Sequence, residues 1–334
     1  MTQSVITVGM IGVGGIAQGH VERLSAIAGV RIVGLADPSE ANIENTVQKH
    51  AGLGAVKKYA DYEVLLKELR PDAVVICTPH TQHFEQAVNA LDAGAHVLLE
   101  KPMVCQVDHA QKLLAKIEAS GKVFGLAYQR HTDPQFRYIR ERIASGEVGA
   151  VKFFTALQQQ DWKRHTKGKW RQDPALSGGG QLNDSGSHLL DVVLWTTGLA
   201  PEAVAAFIDN RGTLVDIDSA VTVRFVGGAV GTLNVHGDAP GWWEDITIWC
   251  ERGAFYVRQG HPLKIQKEDG SFEIPDASVL PPATNVNANF IHAIQGKEPI
   301  AAPAICGLRT IELTEAAWES GAAGGQLTMV KRSA

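Results

Sequence analysis

Residues 8–20 read VGMIGVGGIAQGH and place Gly12, Gly14 and Ala17 in a G-x-G-x-x-A pattern. The pattern follows a β-rich run and opens a helical run. In this context glycines permit a tight turn, and backbone N–H groups at a helix N-terminus can approach a pyrophosphate. The stretch therefore predicts the first βα unit of a dinucleotide-binding domain.

The next predicted strand ends in GLADP, residues 34–38, which places Asp37 twenty residues after Ala17. A carboxylate at this spacing can accept hydrogen bonds from both hydroxyls of the adenosine ribose, and it would repel a 2′-phosphate. The following residues, Pro38 and Ser39, offer no arginine side chain to bind that phosphate. We therefore expect NAD as the cofactor in preference to NADP.

The first third of the chain alternates short β-rich runs with helical runs, as in VRIVGLAD, DYEVLLKEL and DAVVICTP. Such alternation predicts βαβ units in a doubly wound parallel sheet, the Rossmann fold. After Tyr128 the pattern changes to strand candidates separated by Gly-Gly, Arg-Gly and Asp-Gly turns, which predict a largely antiparallel sheet. We expect an α/β protein of two domains, an N-terminal Rossmann domain at 1–125 and a C-terminal α/β domain at 126–334.

Composition limits the classes of partner. The 334 residues carry a formal net charge of −5 without a run of like charges, so we expect no nucleic-acid partner and no binding to a membrane. The sequence shows no signal-type N-terminus and no apolar run of membrane-spanning length. The four cysteines lack C-x-x-C spacing, as is typical of reduced thiols packed as small apolar side chains. We expect a cytoplasmic protein that binds small molecules and copies of itself.

Three further motifs follow the glycine-rich turn: CTPHTQH at 77–83, EKP at 100–102 and GGGQLNDSGSHLLD at 178–191. Their order and spacing resemble those of the Gfo/Idh/MocA family, named after glucose-fructose oxidoreductase and inositol dehydrogenase, and the resemblance covers almost the whole chain. Ala17 in place of a third glycine and the version AYQRHTDP of the segment linking the domains depart from the pattern only slightly.

The resemblance implies a Rossmann domain followed by an α/β domain whose open-faced sheet binds a sugar or polyol on one side and often oligomerises through the other. It implies hydride transfer between a carbinol carbon and nicotinamide C4. Lys101 resembles the lysine of the family's EKP motif, Asp184 the acid that opens its second motif, and His188 its catalytic histidine. A homodimer or homotetramer is the corresponding expectation for the assembly.

The chemistry of alcohol oxidation fits these three residues. A base must lie within hydrogen-bond reach of the hydroxyl whose proton is lost, and His188 is the natural candidate. Asp184, one turn earlier on the face of a predicted helix, either orients the imidazole or holds a neighbouring substrate hydroxyl. Lys101 would stabilise the developing alkoxide. Asp191, three residues after His188, either supports the site or is structural.

The loop DWKRHTKGKWRQDP at 161–174 supplies indole faces and cationic donors that suit a sugar. The predicted substrate-binding residues are Lys101, Trp162, Trp170, Arg171, Asp184 and His188. The predicted cofactor-binding residues are Gly12, Val13, Gly14, Gly15, Ile16, Asp37, Thr78, Pro79, His83, Glu100, Lys101 and Gln129. The stretch containing His236, Trp242 and Trp243 is better explained as a sheet-face interface than as a substrate site.

The leading hypothesis is an NAD-dependent dehydrogenase that oxidises a cyclic polyol, sugar or sugar derivative. One alternative is a glycoside hydrolase or lyase that uses bound NAD for oxidation and elimination, and another is a non-catalytic NAD-binding regulator. A metal site made by Asp184, His188 and Asp191, or by His80 and His83, is a further reading. We expect no metal, because a nicotinamide already provides the hydride acceptor.

Overall fold

The computed structural model describes residues 5–333. Within this range the chain divides into two compact units. The first comprises residues 5–104, 108–127 and 284–305, and the second comprises 105–107, 128–283 and 306–333.

The regular elements alternate between strand and helix in the first third of the chain and are richer in strands after that. The strands are β1 Ile6–Ile11, β2 Val30–Ala36, β3 Lys57–Tyr59, β4 Ala73–Ile76, β5 His96–Leu99, β6 Phe124–Leu126, β7 Val151–Gln159, β8 Pro201–Asp209, β9 Asp218–Phe225, β10 Val230–His236, β11 Trp243–Cys250, β12 Gly253–Arg258, β13 Lys264–Lys267, β14 Phe272–Glu273 and β15 Thr328–Met329. The helices are α1 Gly15–Ser25, α2 Glu40–Lys49, α3 Tyr62–Leu69, α4 His83–Asp92, α5 Val107–Ser120, α6 Pro134–Ala144, α7 Trp162–Thr166, α8 Pro174–Ser177, α9 Gly186–Thr197, α10 Val286–Ile294 and α11 Ala304–Ala322. Short 3₁₀ helices span Ala51–Leu53, His80–Gln82, Gln129–Thr132, Trp170–Gln172 and Ala277–Val279.

The first unit is built on a parallel sheet with strand order β3-β2-β1-β4-β5-β6. All four residues of β4 are buried, as expected of a strand covered on both faces. The order reverses between β1 and β4, and ligands of such sheets bind beyond the carboxyl ends of the strands at this point. The predicted Rossmann fold is confirmed.

The segment 284–305 belongs to the first unit, whereas the predicted division at 125/126 places it in the second domain. Phe290 and Ile291 of α10 are fully buried in the core of the first unit. Beside them, the Leu126 N–H donates to the carbonyl oxygen of Ala302 at 2.9 Å. The sequence pattern identifies an apolar helix here, but it carries no information on which core that helix completes.

The second unit is built on a sheet with strand order β14-β13-β12-β11-β7-β10-β9-β8-β15. Strands β7 and β10 pair in parallel, and the other neighbouring pairs within residues 5–333 are antiparallel. Buried residues alternate with less buried ones along β9 and β10, because one face packs on a hydrophobic core and the other does not. The predicted open-faced, largely antiparallel sheet is confirmed.

Among residues 5–333, no helix combines the length and the apolar character needed to cross a membrane. The cysteines Cys77, Cys105, Cys250 and Cys306 are free thiols.

Candidate active site

The glycine-rich turn joins β1 to α1 in the first unit. A side chain at Gly12 would meet the Cys77 carbonyl carbon and the Thr78 methyl at 2.8 Å, and its φ of 78° suits glycine. A Cβ at Gly14 or Gly15 would meet nothing within 4 Å. Within the described residues no side chain caps the start of α1. Its first N–H groups are therefore available to an anion that enters the open side of the turn.

The other predicted cofactor residues of this turn surround the same opening. The side chain of Val13 is fully buried, while Ile16 is 45% exposed and presents apolar surface at the start of α1. The Asp37 carboxylate accepts hydrogen bonds from the backbone N–H groups of Val13 at 2.9 Å and Ser39 at 2.8 Å. The side-chain amide of Asn42 lies 3.2 Å and 3.3 Å from its two oxygens. Asp37 thus fastens the glycine-rich turn to the end of β2.

The loops after β4 and β5 carry Thr78, Pro79, Glu100 and Lys101, as the motifs predict. The Thr78 hydroxyl donates to Gln86 Oε1 at 2.5 Å. Because both loops follow strands of a doubly wound sheet, they lie at the edge where a dinucleotide binds in this fold.

The buried side chain of His83 contacts the backbone of both loops. Its Nδ1 lies 2.7 Å from the carbonyl oxygen of Pro102 and its Nε2 lies 3.0 Å from that of Thr78. Burial and the neighbouring His80 lower the pKa of His83 to about 4, although the two carbonyl oxygens and Glu100 favour the charged ring. None of the His83 surface is exposed, so its side chain supports the two loops. The geometry does not favour the predicted contact between this side chain and the cofactor.

Asp184 gathers three predicted substrate residues in the second unit. Its Oδ2 accepts hydrogen bonds from Trp162 Nε1 at 2.8 Å and from Arg171 Nε at 2.9 Å. The Arg171 guanidinium stacks over the indole of Trp170, 4.3 Å from the ring centroid. The structure therefore assembles a buried carboxylate, a cation and the half-buried indole of Trp170, groups suited to binding hydroxyl groups and the C–H face of a sugar. Trp162 is only 2% exposed, so it supports Asp184, and the geometry does not favour its predicted contact with the substrate.

The predicted helix through 184–191 starts later than expected. Helix α9 begins at Gly186, so Asp184 lies in the preceding turn, where its N–H donates to the Gly180 carbonyl at 3.0 Å. His188 lies in the first turn of α9 and is half-buried. The spacing of four residues is typical of a shared helical face, but here the glycine-led turn, not the helix, positions the acid.

The glycine triplet ahead of Asp184 serves the fold of the second unit. A Cβ at Gly180 would lie 1.9 Å from the carbonyl oxygen of Asp216, and one at Gly179 would lie 2.5 Å from the Trp318 ring. The buried Asp216 carboxylate accepts from the N–H groups of Gly180 and Leu182 at 2.9 Å and 2.7 Å. These two glycines therefore let the turn pack closely against the protein's own backbone and an indole ring.

Beneath His188 lies a buried polar pair. Tyr128 meets the His188 ring edge-on at 5.8 Å, and His131 Nε2 lies 2.9 Å from Asp191 Oδ2. Burial raises the pKa of Asp191, and the neighbouring His131 opposes that shift. Trp195 stacks on His131 at 4.1 Å. Asp191 is thus the partner of His131 in the core of the second unit.

One group of residues in the second unit has the spacing of metal ligands. Within the described residues, the group with ligand spacing is His131, Asp191 and Cys306, and neither of the predicted sets appears. Burial raises the pKa of the Cys306 thiol far above its usual range. This cluster is a hydrogen-bonded histidine–carboxylate pair beside a buried cysteine.

A cavity of about 880 Å³ lies within the second unit, lined by parts of 163–176 and 211–214 and by Asp238. Trp170 forms part of its wall. Lys163 pairs with Asp238 at 3.0 Å, so part of its cationic lining is already neutralised. The volume is within the range of small-molecule sites. The cavity therefore shares Trp170 with the group of residues around Asp184.

The remaining predicted residues are peripheral to the Asp184 cluster. Gln129 is exposed at the start of a 3₁₀ helix. His236 pairs with Asp218 at 2.8 Å, and Trp242 is 43% exposed. Sequence reasoning missed Arg130, which pairs with Glu244 at 2.5 Å. It also missed His20, which contacts Asn287 on one side of its ring and Glu100 on the other. His20 lies inside the quoted glycine-rich stretch, so its position in the sequence could have pointed to it.

Comparison with known families decides the classification. A family model described as "Oxidoreductase family, NAD-binding Rossmann fold" matches residues 6–128, and one described as "GFO/IDH/MocA C-terminal domain" matches residues 136–256. The chain belongs to the Gfo/Idh/MocA family of oxidoreductases. Its first unit is therefore an NAD-binding Rossmann domain, as the glycine-rich turn predicts.

Two dehydrogenases and one solved structure are similar to this chain over most of their length. The scyllo-inositol 2-dehydrogenase (NAD(+)) of Bacillus subtilis (strain 168) is 24% identical over 283 residues, 80% of this chain and 79% of the relative. The myo-inositol 2-dehydrogenase of Thermotoga maritima is 25% identical over 264 residues, 75% of this chain and 74% of the relative. A levoglucosan dehydrogenase solved with NADH and levoglucosan superposes with a TM-score of 0.87 at 19% identity, covering 98% of this chain and 100% of that one.

Proposed function

We propose that this protein is an NAD-dependent dehydrogenase that oxidises a secondary hydroxyl of a cyclic polyol, sugar or sugar derivative. The observation that carries the proposal is the cluster around Asp184, in which Trp162 and Arg171 hold the carboxylate just ahead of His188. The names of the inositol and levoglucosan dehydrogenases among its relatives support the same substrate class.

The cofactor half of the reaction belongs to the first unit. NAD, when bound, supplies the hydride acceptor. The open side of the turn at Gly14 and Gly15 would hold its pyrophosphate at the N-terminus of α1. Asp37 would hold the adenosine ribose and disfavour a 2′-phosphate. The loops at 78–79 and 100–101 are the proposed contacts of the nicotinamide half within this unit. Gln129, which belongs to the second unit, is a further proposed contact.

The chemistry of the substrate falls to three residues. His188 removes the hydroxyl proton as the carbon is oxidised, because a neutral imidazole is a base suited to a pH near 7. Lys101 stabilises the negative charge that develops on the oxygen. Asp184 holds a neighbouring substrate hydroxyl and keeps the cationic Arg171 beside it. Trp170 offers its ring to the C–H face of the sugar.

The test is the initial rate of nicotinamide reduction at alkaline pH across inositols, aldoses, anhydrosugars and sugar acids, with NAD and NADP assayed separately. We expect turnover of at least one cyclic polyol or sugar with NAD. Bound NAD with no turnover across the panel would contradict the proposal. In that case chromogenic glycosides would be assayed next, because aglycone release without net NADH would indicate oxidation and elimination.

The proposal extends to a homo-oligomer in the cytoplasm. The outer face of the second unit's sheet carries Phe153 at 40% exposure, in ring contact with Trp249 at 5.8 Å. Phe207 on β8 is 70% exposed. An apolar sheet face of this kind supports association of two or four copies. Light scattering coupled to size-exclusion chromatography checks the assembly, and a monomer at micromolar concentration would contradict it. The free thiols support a reducing compartment.

A further inference from the structure

The first unit contains a buried imidazole–carboxylate contact that the proposed mechanism does not use. His20 on α1 and Glu100, directly after β5, are 1% and 4% exposed. His20 Nε2 lies 2.9 Å from Glu100 Oε1. A buried carboxylate requires donors to offset the loss of water, and the imidazole N–H supplies one of them.

Asn287, at the start of α10, completes the contact from the other side of the ring. Its Oδ1 accepts a hydrogen bond from Arg23 Nε at 2.8 Å. Because a guanidinium only donates, this bond identifies the amide oxygen and leaves Nδ2 as the donor. That Nδ2 lies 2.9 Å from His20 Nδ1. The same Nδ1 also lies 3.1 Å from Asn287 Oδ1, so the amide contacts this ring nitrogen through both of its polar atoms. Because the Glu100 carboxylate only accepts, the ring carries a proton on Nε2, toward Glu100.

The series ends at the backbone of Lys101. Glu100 Oε2 accepts a hydrogen bond from the Lys101 N–H at 3.1 Å. Both bonds to Glu100 run toward the carboxylate: His20 Nε2–H donates to Oε1, and the Lys101 N–H donates to Oε2. Only a carboxylate can accept on both oxygens at once, since an amide in its place would present a donor to one of the two N–H groups.

We infer that His20 and Glu100 are positioning residues that fix the peptide of Lys101, with Asn287 holding His20 in the required orientation. The inference rests on the proposed function, in which Lys101 acts on the substrate oxygen. Helix α1 starts at the cofactor turn, so the contact ties the backbone of this lysine to the element that would bind the pyrophosphate. A displacement of about 1 Å at a catalytic group lowers turnover by roughly 100-fold, which is why such support matters.

The test compares three variants of the full-length protein with a matched control. His20→Leu removes the donor to Glu100, and His20→Gln places an amide N–H where Nε2 stood. Glu100→Gln keeps the shape but removes one of the two acceptors. The control is His96→Leu at the first residue of β5, where His96 Nδ1 accepts from the Val123 N–H at 2.9 Å. The control thus loses a histidine hydrogen bond at the opposite end of the same strand.

Kinetics on the substrate identified by the panel gives the first readout. We expect His20→Leu and Glu100→Gln to lower kcat by roughly 10- to 100-fold. In His20→Leu, the Kd of NAD, from titration of protein fluorescence, should change by less than about 3-fold, since the glycine turn is untouched. His20→Gln should recover most of kcat. The double variant His20→Leu/Glu100→Gln should lose little more than either single variant, because both break one series.

Hydrogen exchange at peptides containing Lys101 gives a readout that needs no substrate. We expect faster exchange in His20→Leu than in the wild type or in His96→Leu. The exchange rate at Lys101 can be measured even if the protein turns over no substrate of the panel. Failure of the positioning inference is therefore distinguishable from failure of the proposed function. Unchanged exchange at Lys101, or a kcat loss in His96→Leu equal to that in His20→Leu, would overturn the inference. If His20→Leu does not fold, the isosteric Glu100→Gln decides, and full activity with unchanged exchange there overturns it.

Discussion

The carboxylate of Asp37 accepts a hydrogen bond of 2.9 Å from the backbone N–H of Val13. Asp37 is the acid at the end of the second strand, whose position predicts a preference for NAD. Val13 lies in the glycine-rich turn between Gly12 and Gly14. One acid therefore has two tasks, the shape of the turn and the proposed choice between NAD and NADP. The Kd of NAD reports on the shape of the turn, and the ratio of the Kd values for NAD and NADP reports on the cofactor preference.

Asp37→Ala should shift the cofactor preference toward NADP by at least roughly 10-fold, since the charge that repels a 2′-phosphate is lost. It should also weaken NAD binding, because the N–H groups of Val13 and Ser39 lose their acceptor. Kd values for both cofactors check this. Asp61→Ala, which removes the carboxylate that accepts from the Glu63 N–H at the start of α3, is the control and should leave the preference unchanged. An unaltered preference in Asp37→Ala would show that the acid has been assigned the wrong role.

His188→Ala should lower turnover by roughly 100-fold or more, because the proposed base is absent. NAD affinity should stay within about 3-fold, since the cofactor turn lies in the other unit. His261→Ala, at an exposed histidine of the same unit, is the matched control and should retain full turnover. Loss of NAD affinity in His188→Ala, with turnover otherwise preserved at saturating cofactor, would place this residue in cofactor binding instead.

Gly180→Ala should destabilise the second unit by at least about 1–3 kcal/mol, because a Cβ there would overlap the Asp216 carbonyl oxygen. The matched control is Gly241→Ala, where an added Cβ meets nothing within 4 Å. Thermal unfolding followed by calorimetry compares the two variants. Equal melting temperatures for both would mean that the close packing of the triplet on Asp216 contributes nothing to stability.

His83 should make stability depend on pH. Its pKa in the folded protein, about 4, is below the usual value of 6.5, so between these values the unfolded chain binds the extra proton. The contribution of His83 to the free energy of unfolding is then fully present above pH 6.5 and falls by about 3 kcal/mol as the pH drops to 4. Urea denaturation from pH 4 to 7.5 measures the slope. His83→Asn should flatten it, and an identical slope in that variant would refute the assignment.

The glycine-rich turn and the position of Asp37 follow closely from the sequence because their signals are local. Gly12 needs a positive φ at a tight turn, and the placement of Asp37 at the end of β2 follows from the alternation of strand and helix. Such features depend on neighbours a few residues apart, which is the range over which a sequence pattern is informative.

The remainder depends on contacts between distant residues. The turn that carries Asp184 is shaped by Asp216, and the carboxylate itself is held by Trp162 and Arg171. A spacing of four residues predicts a helical face, but it does not reveal that the helix begins only at Gly186 and leaves Asp184 in the preceding turn. His83 likewise has a side chain that could contact a cofactor. Only its burial shows that it supports two loops instead.

The return of 284–305 to the first unit has a consequence for the order in which the protein matures. During synthesis the strands of the Rossmann sheet emerge first, yet Phe290 and Ile291 of its core come from the final fifth of the chain. The N-terminal part of the first unit therefore keeps an apolar surface uncovered until most of the second unit has been translated. A ribosome stalled after residue 127 should present an incompletely folded cofactor domain, and chaperones that bind apolar segments should associate with it until α10 arrives.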